Sequence, residues 1–178
     1  MEKKLEIEEK FKAAFESHQK KDLDKAEKLY FEILNKDPNN INTNFLLGSL
    51  FLQRKEFDKA RELFLKVISL NPENPDSYNN LGIAMKELGQ KSKAAICFQK
   101  AIELKANHNT AYNNLGIVLK ELGEYHKAQN SYEKAIQIDS NNADAYNNLG
   151  IIFTEYGEDK KSIECFQKAI KIKPNFLK

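Results

Sequence analysis

A six-residue motif recurs three times in this chain at a constant spacing. It reads Tyr-Asn-Asn-Leu-Gly-Ile and begins at Tyr78, Tyr112 and Tyr146, so each copy starts 34 residues after the previous one. A fixed period of this length is typical of stacked structural repeats, each of which contacts only its neighbours. Such an array buries its core between adjacent repeats and leaves one long face free, which favours a role in holding another molecule.

Within one period, the apolar residues follow two helical stripes. Tyr78, Leu81 and Met85 fall three or four residues apart, which indicates a first helix. Gly89 follows this stripe and predicts a left-handed residue that ends the helix. A second stripe contains the small and aromatic residues Ala94, Phe98 and Ala101. The sequence therefore predicts a helical hairpin whose helices approach closely at small residues, beside which Phe98 fills the remaining space.

The same pattern extends along the chain without an insertion or deletion. It predicts a charged leader at residues 1–6 and a single domain at residues 7–178, with five repeats at 7–40, 41–74, 75–108, 109–142 and 143–176. The first two repeats fit less closely. Lys10 and Asn44 occupy the place of the aromatic residue, and Lys21 and Lys55 occupy the place of the mid-repeat glycine.

These repeats resemble the tetratricopeptide repeat (TPR) family, whose 34-residue hairpins carry an aromatic residue, Leu-Gly, Ala, Phe, Ala and Pro at set positions. The matching residues include the Leu-Gly pairs at 81–82, 115–116 and 149–150, together with Pro38, Pro72 and Pro174. The resemblance covers nearly the whole chain. It implies an all-α fold, a right-handed superhelical solenoid of five helix-turn-helix repeats, with a concave face lined by the first helix of every repeat.

Six asparagines of the recurring motif are the first candidates for a binding site. The second asparagine of each copy is expected on the concave face, and the first asparagine beside it; the two sets are Asn80, Asn114 and Asn148, and Asn79, Asn113 and Asn147. A primary amide can bind both the N–H and the C=O of a peptide group. The row is similar to the asparagine ladder of the TPR repeats of O-GlcNAc transferases, which bind extended protein segments. Alternatively, these asparagines cap or bridge adjacent helices.

Three phenylalanines in the first two repeats are candidates for an apolar anchor pocket. Phe11, Phe15 and Phe45 occupy places where later repeats carry asparagine or isoleucine on the expected inner face. A groove with an aromatic end and an amide-lined end would suit a partner with one hydrophobic anchor and an extended stretch. Alternatively, Phe11 and Phe45 turn inward and replace the aromatic residue that Lys10 and Asn44 fail to supply.

Composition excludes several other functions. The 178 residues contain 28 Lys and Arg against 26 Asp and Glu, so the charge of +2 gives no field that would select nucleic acid or an anionic membrane. There is no secretory signal and no apolar run of about 18 residues, which predicts a cytoplasmic protein. Cys97 and Cys165 lie two periods apart, on the order of 20 Å, and are expected to remain unpaired. The histidines show no metal-ligand spacing, and we predict neither a metal nor a cofactor.

The sequence thus predicts a non-catalytic scaffold or adaptor that binds an extended peptide or a partner's helix in its concave groove. One alternative is a self-associating array or a piece of a larger protein, because Ile163, Phe166 and Ile170 form an apolar stripe on the last helix without a capping helix after it. Another alternative is an RNA-binding helical repeat, against which stand the 34-residue period and the neutral charge.

Overall fold

The computed structural model describes residues 2–174, with side chains from residue 5 onward, and these residues form ten α-helices without a strand. Met1 and residues 175–178, which include the end of the predicted fifth repeat, lie outside the described residues. Helices α1 to α10 span Glu2–Gln19, Leu23–Lys36, Ile41–Gln53, Phe57–Leu70, Pro75–Glu87, Lys91–Leu104, Asn109–Glu121, Tyr125–Ile138, Ala143–Glu155 and Asp159–Ile172.

The helices are grouped in two compact units, which meet in sequence between Leu88 and Gly89. Unit 1 (Met1–Leu88) contains the hairpins α1–α2 and α3–α4 followed by α5, and unit 2 (Gly89–Lys178) contains α6 followed by the hairpins α7–α8 and α9–α10. Within each unit, every helix packs against the next one along the chain. The predicted all-α architecture of helical hairpins is confirmed.

The first helices of four repeats begin where the sequence period places them, at Ile41, Pro75, Asn109 and Ala143. Three of these starts are stabilised by an asparagine that precedes the helix. The side chains of Asn40, Asn74 and Asn142 accept a hydrogen bond from the backbone N–H three residues further on, at 3.1, 2.9 and 2.9 Å. Such caps satisfy backbone donors that have no partner inside the helix.

Helix α1 extends beyond its repeat. It begins at Glu2, so residues 2–6 of the expected charged leader continue the helix instead of preceding it. Glu6 lies 3.7 Å from Lys10, one turn further along α1, and it also forms an ion pair with Lys36 of α2. These opposite charges hold the pKa of Glu6 below its usual range, chiefly through the hydrogen bond from Lys36.

In three hairpins, a glycine on the first helix and an aromatic ring on the second fix the helix spacing. A Cβ atom added to Gly116 would lie 2.5 Å from Cε1 of Tyr132, and one added to Gly150 would lie 2.7 Å from Cε1 of Phe166. The contact of Gly48 with Phe64 is looser, at 3.0 Å. The predicted role of the small residues is therefore confirmed in these three hairpins, since a larger residue would push the ring out of the core.

The turn inside each hairpin keeps one conformation whether or not it contains glycine. Gly89, Gly123 and Gly157 have φ of 75°, 79° and 71°, and the lysines in the same register, Lys21 and Lys55, both have φ of 61°. After Lys55, the N–H of Glu56 bonds to the carbonyl of Phe51 at 2.9 Å, a bond that ends the helix as in a Schellman motif. These bonds hold both lysines in a region that favours glycine.

Two buried tyrosines at the aromatic register differ in how their hydroxyl groups are satisfied. Tyr30 Oη lies 3.2 Å from His18 Nδ1, and Gln53 Nε2 donates to His18 Nε2 at 2.9 Å, so Nδ1 carries the proton that Tyr30 accepts. Burial lowers the pKa of His18 and raises that of Tyr30 to about 12. Tyr132 is equally buried, but its Oη has no hydrogen-bond partner in the part of the chain that the structure describes.

We predict that Tyr132→Phe raises the free energy of unfolding by about 1 kcal/mol, because it removes a buried hydroxyl that has lost its water without gaining a partner. The matched variant Tyr30→Phe should lower it by about 1 kcal/mol, since His18 Nδ1 then keeps a buried proton without an acceptor. Urea unfolding of both variants measures the difference. Equal destabilisation by both substitutions would contradict this account of Tyr132.

We also predict that Lys55→Gly raises the free energy of unfolding by about 0.5 kcal/mol, because relief of the left-handed strain exceeds the entropic cost of glycine in the unfolded chain. Lys55→Ala is the control, since it removes the charge but keeps the Cβ atom. Thermal and urea unfolding should show a gain for glycine alone. A similar gain for alanine would assign the effect to charge.

Candidate functional site

The first helices of successive repeats adjoin one another on one side of each unit. In unit 1, α1 contacts α3 and α3 contacts α5, and in unit 2, α7 contacts α9. The second helices lie further apart, because no Cα atoms of α2 and α4, or of α8 and α10, come within 8 Å of each other in the described residues. Within each unit, the first helices therefore lie closer together than the second helices. The side that they form is the inner side of the curved helix array, as the resemblance to TPR proteins implied.

In unit 2, the motif asparagines of neighbouring repeats reach each other. Asn148 Nδ2 on α9 donates to Asn113 Oδ1 on α7 at 3.3 Å, a long hydrogen bond between half-buried side chains. Asn114 and Asn147 are half-buried beside them. An amide has two donor hydrogens and two acceptor lone pairs, so one such bond leaves Asn148 with further bonding capacity. Asn148 and Asn113 thus bridge successive repeats.

In unit 1, the two motif asparagines of α5 interact with each other. Asn79 Nδ2 donates to Asn80 Oδ1 at 3.2 Å. Only 7% of Asn79 is exposed, whereas Asn80 is half-buried. Asn79 is therefore the least accessible of the six predicted amides, and Asn80 is the better candidate for contact with a ligand in this unit.

The structure places the three candidate phenylalanines in different surroundings. Phe45 packs edge-on against Phe64, with ring centroids 5.7 Å apart and planes at 70°, so it turns toward the hairpin core. Asn44, which precedes it, is buried and donates to the carbonyls of Pro38 and Asn40 at 3.1 and 2.8 Å. Phe15 is 39% exposed and Phe11 is half-buried. An apolar anchor pocket formed by these three rings stays a prediction.

The two cysteines of unit 2 are in settings that disfavour reactivity. Cys97 and Cys165 are both unpaired, as predicted, and burial raises the pKa of both thiols, that of Cys97 to about 11. Little thiolate therefore exists at neutral pH. His126 Nδ1 shares a hydrogen bond with Tyr156 Oη at 3.1 Å. No group of three or more His, Cys, Asp or Glu able to hold a metal ion occurs within residues 2–174.

Unit 1 also contains a groove on its second-helix side, which none of the sequence patterns predicted. Its volume is about 310 Å³. Leu47 and Phe51 of α3 form a buried floor, and the walls come from α2 and α4. The wall residues are Phe31, Lys59, Glu62, Leu63 and Lys66. The groove is thus an apolar trough between two second helices, with charged groups along one wall.

Chains built from such helical hairpins, with the first helices lining one face, form a class of repeat scaffolds for protein interactions. The sequence pattern described as "Cilia and flagella-associated protein 70 middle TPR-like domain" matches residues 11–138, and the pattern described as "Tetratricopeptide repeat" matches residues 107–175. The chain belongs to the TPR family. A comparison with curated protein sequences finds no match.

Solved structures agree with this assignment. The crystal structure of MamA is 30% identical, covers 91% of this chain and 95% of its own, and superposes with a TM-score of 0.81. MamA from Desulfovibrio magneticus RS-1, starting at residue 41, is 16% identical, covers 97% of each chain and has a TM-score of 0.84. YrrB, described as a TPR protein with an unusual peptide-binding site, is 24% identical over 94% of this chain and 87% of its own, with a TM-score of 0.74.

Proteins with TPR repeats bind protein or peptide partners, and the fold is typical of non-catalytic interaction scaffolds. Among the described helices, none combines the length and the apolar character needed to cross a lipid bilayer.

Proposed function

We propose that this chain is a non-catalytic scaffold that binds an extended peptide, or a helix of a partner protein, along the first-helix side of unit 2. The observation that carries the proposal is the pair of neighbouring asparagine motifs on α7 and α9. The hydrogen bond from Asn148 to Asn113 brings amides of successive repeats within 3.3 Å of each other. Their remaining donors and acceptors match the N–H and C=O groups of a peptide backbone.

The geometry of the row suits an extended backbone better than a compact ligand. Neutral amides bind peptide groups without requiring a particular side chain, so backbone contacts supply affinity and other positions supply specificity. Asn80 on α5 offers the same group within unit 1. YrrB, with a similar fold, is described as having a peptide-binding site. The half-buried amides are also partly dehydrated before binding, which lowers the cost of replacing their water.

The test uses peptides selected from a random library on the intact protein, with affinity measured by isothermal titration calorimetry. The double variant Asn114→Ala/Asn148→Ala should weaken binding about tenfold or more, because each lost amide contact is worth roughly 0.5–1.5 kcal/mol. Asn80→Ala alone reports whether unit 1 takes part. Asn130→Ala is the matched control, since Asn130 is an exposed asparagine on the second helix α8.

Circular dichroism and the melting temperature should stay nearly unchanged in the double variant. Unchanged affinity would show that the asparagines only bridge repeats. If the chain binds single-stranded poly(U) more tightly than any selected peptide, the RNA-binding alternative replaces this proposal.

A second candidate function is self-association through α10. Ile163 and Ile170 are 56% and 41% exposed and lie seven residues apart on one face of this helix. In α8, the same registers hold Gln129 and Ile136, and that helix is in contact with α9. A face that is half-buried in one hairpin and exposed in another favours packing of a second copy on α10.

Light scattering over a concentration series tests this second candidate. We expect the mass of the wild-type protein to rise with concentration and that of Ile163→Gln, which installs the residue of α8, to stay monomeric. Ile96→Asn is the control, because Ile96 is an exposed isoleucine on α6 whose register in α8 holds Asn130. A constant monomer mass for the wild-type protein would exclude self-association.

A further inference from the structure

Phe31 is a wall residue of the unit 1 groove whose aromatic side chain is not explained by packing within the hairpin. Its ring is 45% exposed although it lies in the middle of α2. The same register in the later second helices holds Leu65, Gln99, Glu133 and Gln167. The position thus faces outward and is polar in the last three repeats, so the aromatic ring of Phe31 is not needed to form the hairpin.

The opposite wall carries two amines over apolar surface. Lys59 Nζ lies 5.0 Å from the centre of the Phe51 ring on the groove floor, which is a cation–π geometry. Lys59 also forms an ion pair with Glu56. Lys66, two turns further along α4, is half-buried and forms no ion pair in the described part of the chain. Glu62 lies between them on the same wall. An ammonium beside apolar surface without a carboxylate partner favours an anionic ligand.

In unit 2, the register of Phe31 is occupied by an acidic residue. There Lys161 lies 5.2 Å from the ring of Phe153, as Lys59 does from Phe51. Glu133 takes the register of Phe31, and Lys168 takes that of Lys66. The pKa of Lys161 is raised chiefly by Glu158, and Glu133 contributes to the same shift. In unit 1 a ring takes the place of this carboxylate and adds apolar surface. Lys59 there still interacts with Glu56 and with Glu27 of α2, whereas Lys66 forms no ion pair among the described residues.

We propose that this groove binds a segment of a partner protein that presents a large apolar side chain next to an acidic residue. The apolar side chain packs between Phe31 and Leu63 above the floor of Leu47 and Phe51, and the carboxylate pairs with Lys66. A volume of about 310 Å³ is at the small end of ligand pockets and accommodates one or two side chains. This surface is separate from the asparagines and does not depend on the function proposed for them.

The probes are three capped tripeptides, acetyl-Trp-Glu-Glu-amide, acetyl-Trp-Lys-Lys-amide and acetyl-Ala-Glu-Glu-amide, titrated into the intact ¹⁵N-labelled protein at low salt. We expect saturable amide shifts at Phe31 and along residues 59–66 with Trp-Glu-Glu at millimolar concentration, as is usual for so small a contact. The other two peptides should bind at least about threefold more weakly, because Trp-Lys-Lys lacks the negative charge and Ala-Glu-Glu lacks the aromatic ring.

Three single variants locate the binding. Phe31→Glu, which installs the residue of α8, should weaken Trp-Glu-Glu at least about fivefold. Lys66→Glu should reverse the preference, so that Trp-Lys-Lys binds more tightly than Trp-Glu-Glu. Leu65→Gln is the matched control, because Leu65 is an exposed apolar residue of α4 outside the groove. This variant should bind Trp-Glu-Glu like the wild-type protein. Well-dispersed spectra of each variant show that it is folded.

Three results would overturn the proposal: no saturable shift with Trp-Glu-Glu, equal affinity for Trp-Lys-Lys, or an unchanged preference in Lys66→Glu. The Asn114→Ala/Asn148→Ala protein should bind Trp-Glu-Glu like the wild type. Loss of binding in that variant would show that the peptide binds on the first-helix side and would likewise overturn the proposal.

Discussion

The contact between a glycine of the first helix and an aromatic ring of the second sets the geometry of three hairpins. At Gly116 the approach is so close that a single added carbon would lie 2.5 Å from the ring of Tyr132. Interiors packed this tightly do not absorb an extra methyl group without displacing a side chain or a helix. The helix spacing of these hairpins is therefore closely constrained. Outward-facing positions recur at a fixed register and are free of this constraint, so they can vary in chemistry while the hairpin is kept.

Much of the fold could be predicted because its signals are local. Helix starts at Ile41 and Ala143 follow from capping asparagines and the period, and the buried rings follow from their place beside small residues. The extent of α1 could not be predicted from the repeat, since its first turns are stabilised by charges such as Glu6 rather than by repeat packing. Lys55 departs from the glycine of the repeat pattern, yet the backbone hydrogen bonds impose the same turn.

The candidate site was less predictable because it depends on side-chain orientation across repeats. The motif shows two adjacent asparagines, but burial of Asn79 and the bond from Asn148 to Asn113 depend on neighbouring helices that a single repeat does not contain. The groove of unit 1 was unpredictable for another reason. Packing positions define the repeat pattern, whereas Phe31 differs from its counterparts at an outward register. The only sequence signal of the groove is an aromatic residue where the last three repeats carry a polar one.

The two candidate binding surfaces differ in the physical basis of recognition. Amides such as Asn114 and Asn148 exchange hydrogen bonds with water for bonds with a backbone, so each contributes little net free energy and little selectivity. A ring and an amine such as Phe31 and Lys66 instead remove apolar surface from water and require a matching charge, which discriminates between partners. Glu133 at the register of Phe31 shows that this position tolerates opposite chemistry without a change in the hairpin. Selectivity can therefore be altered on the second-helix side while the packing that sets the period is left intact.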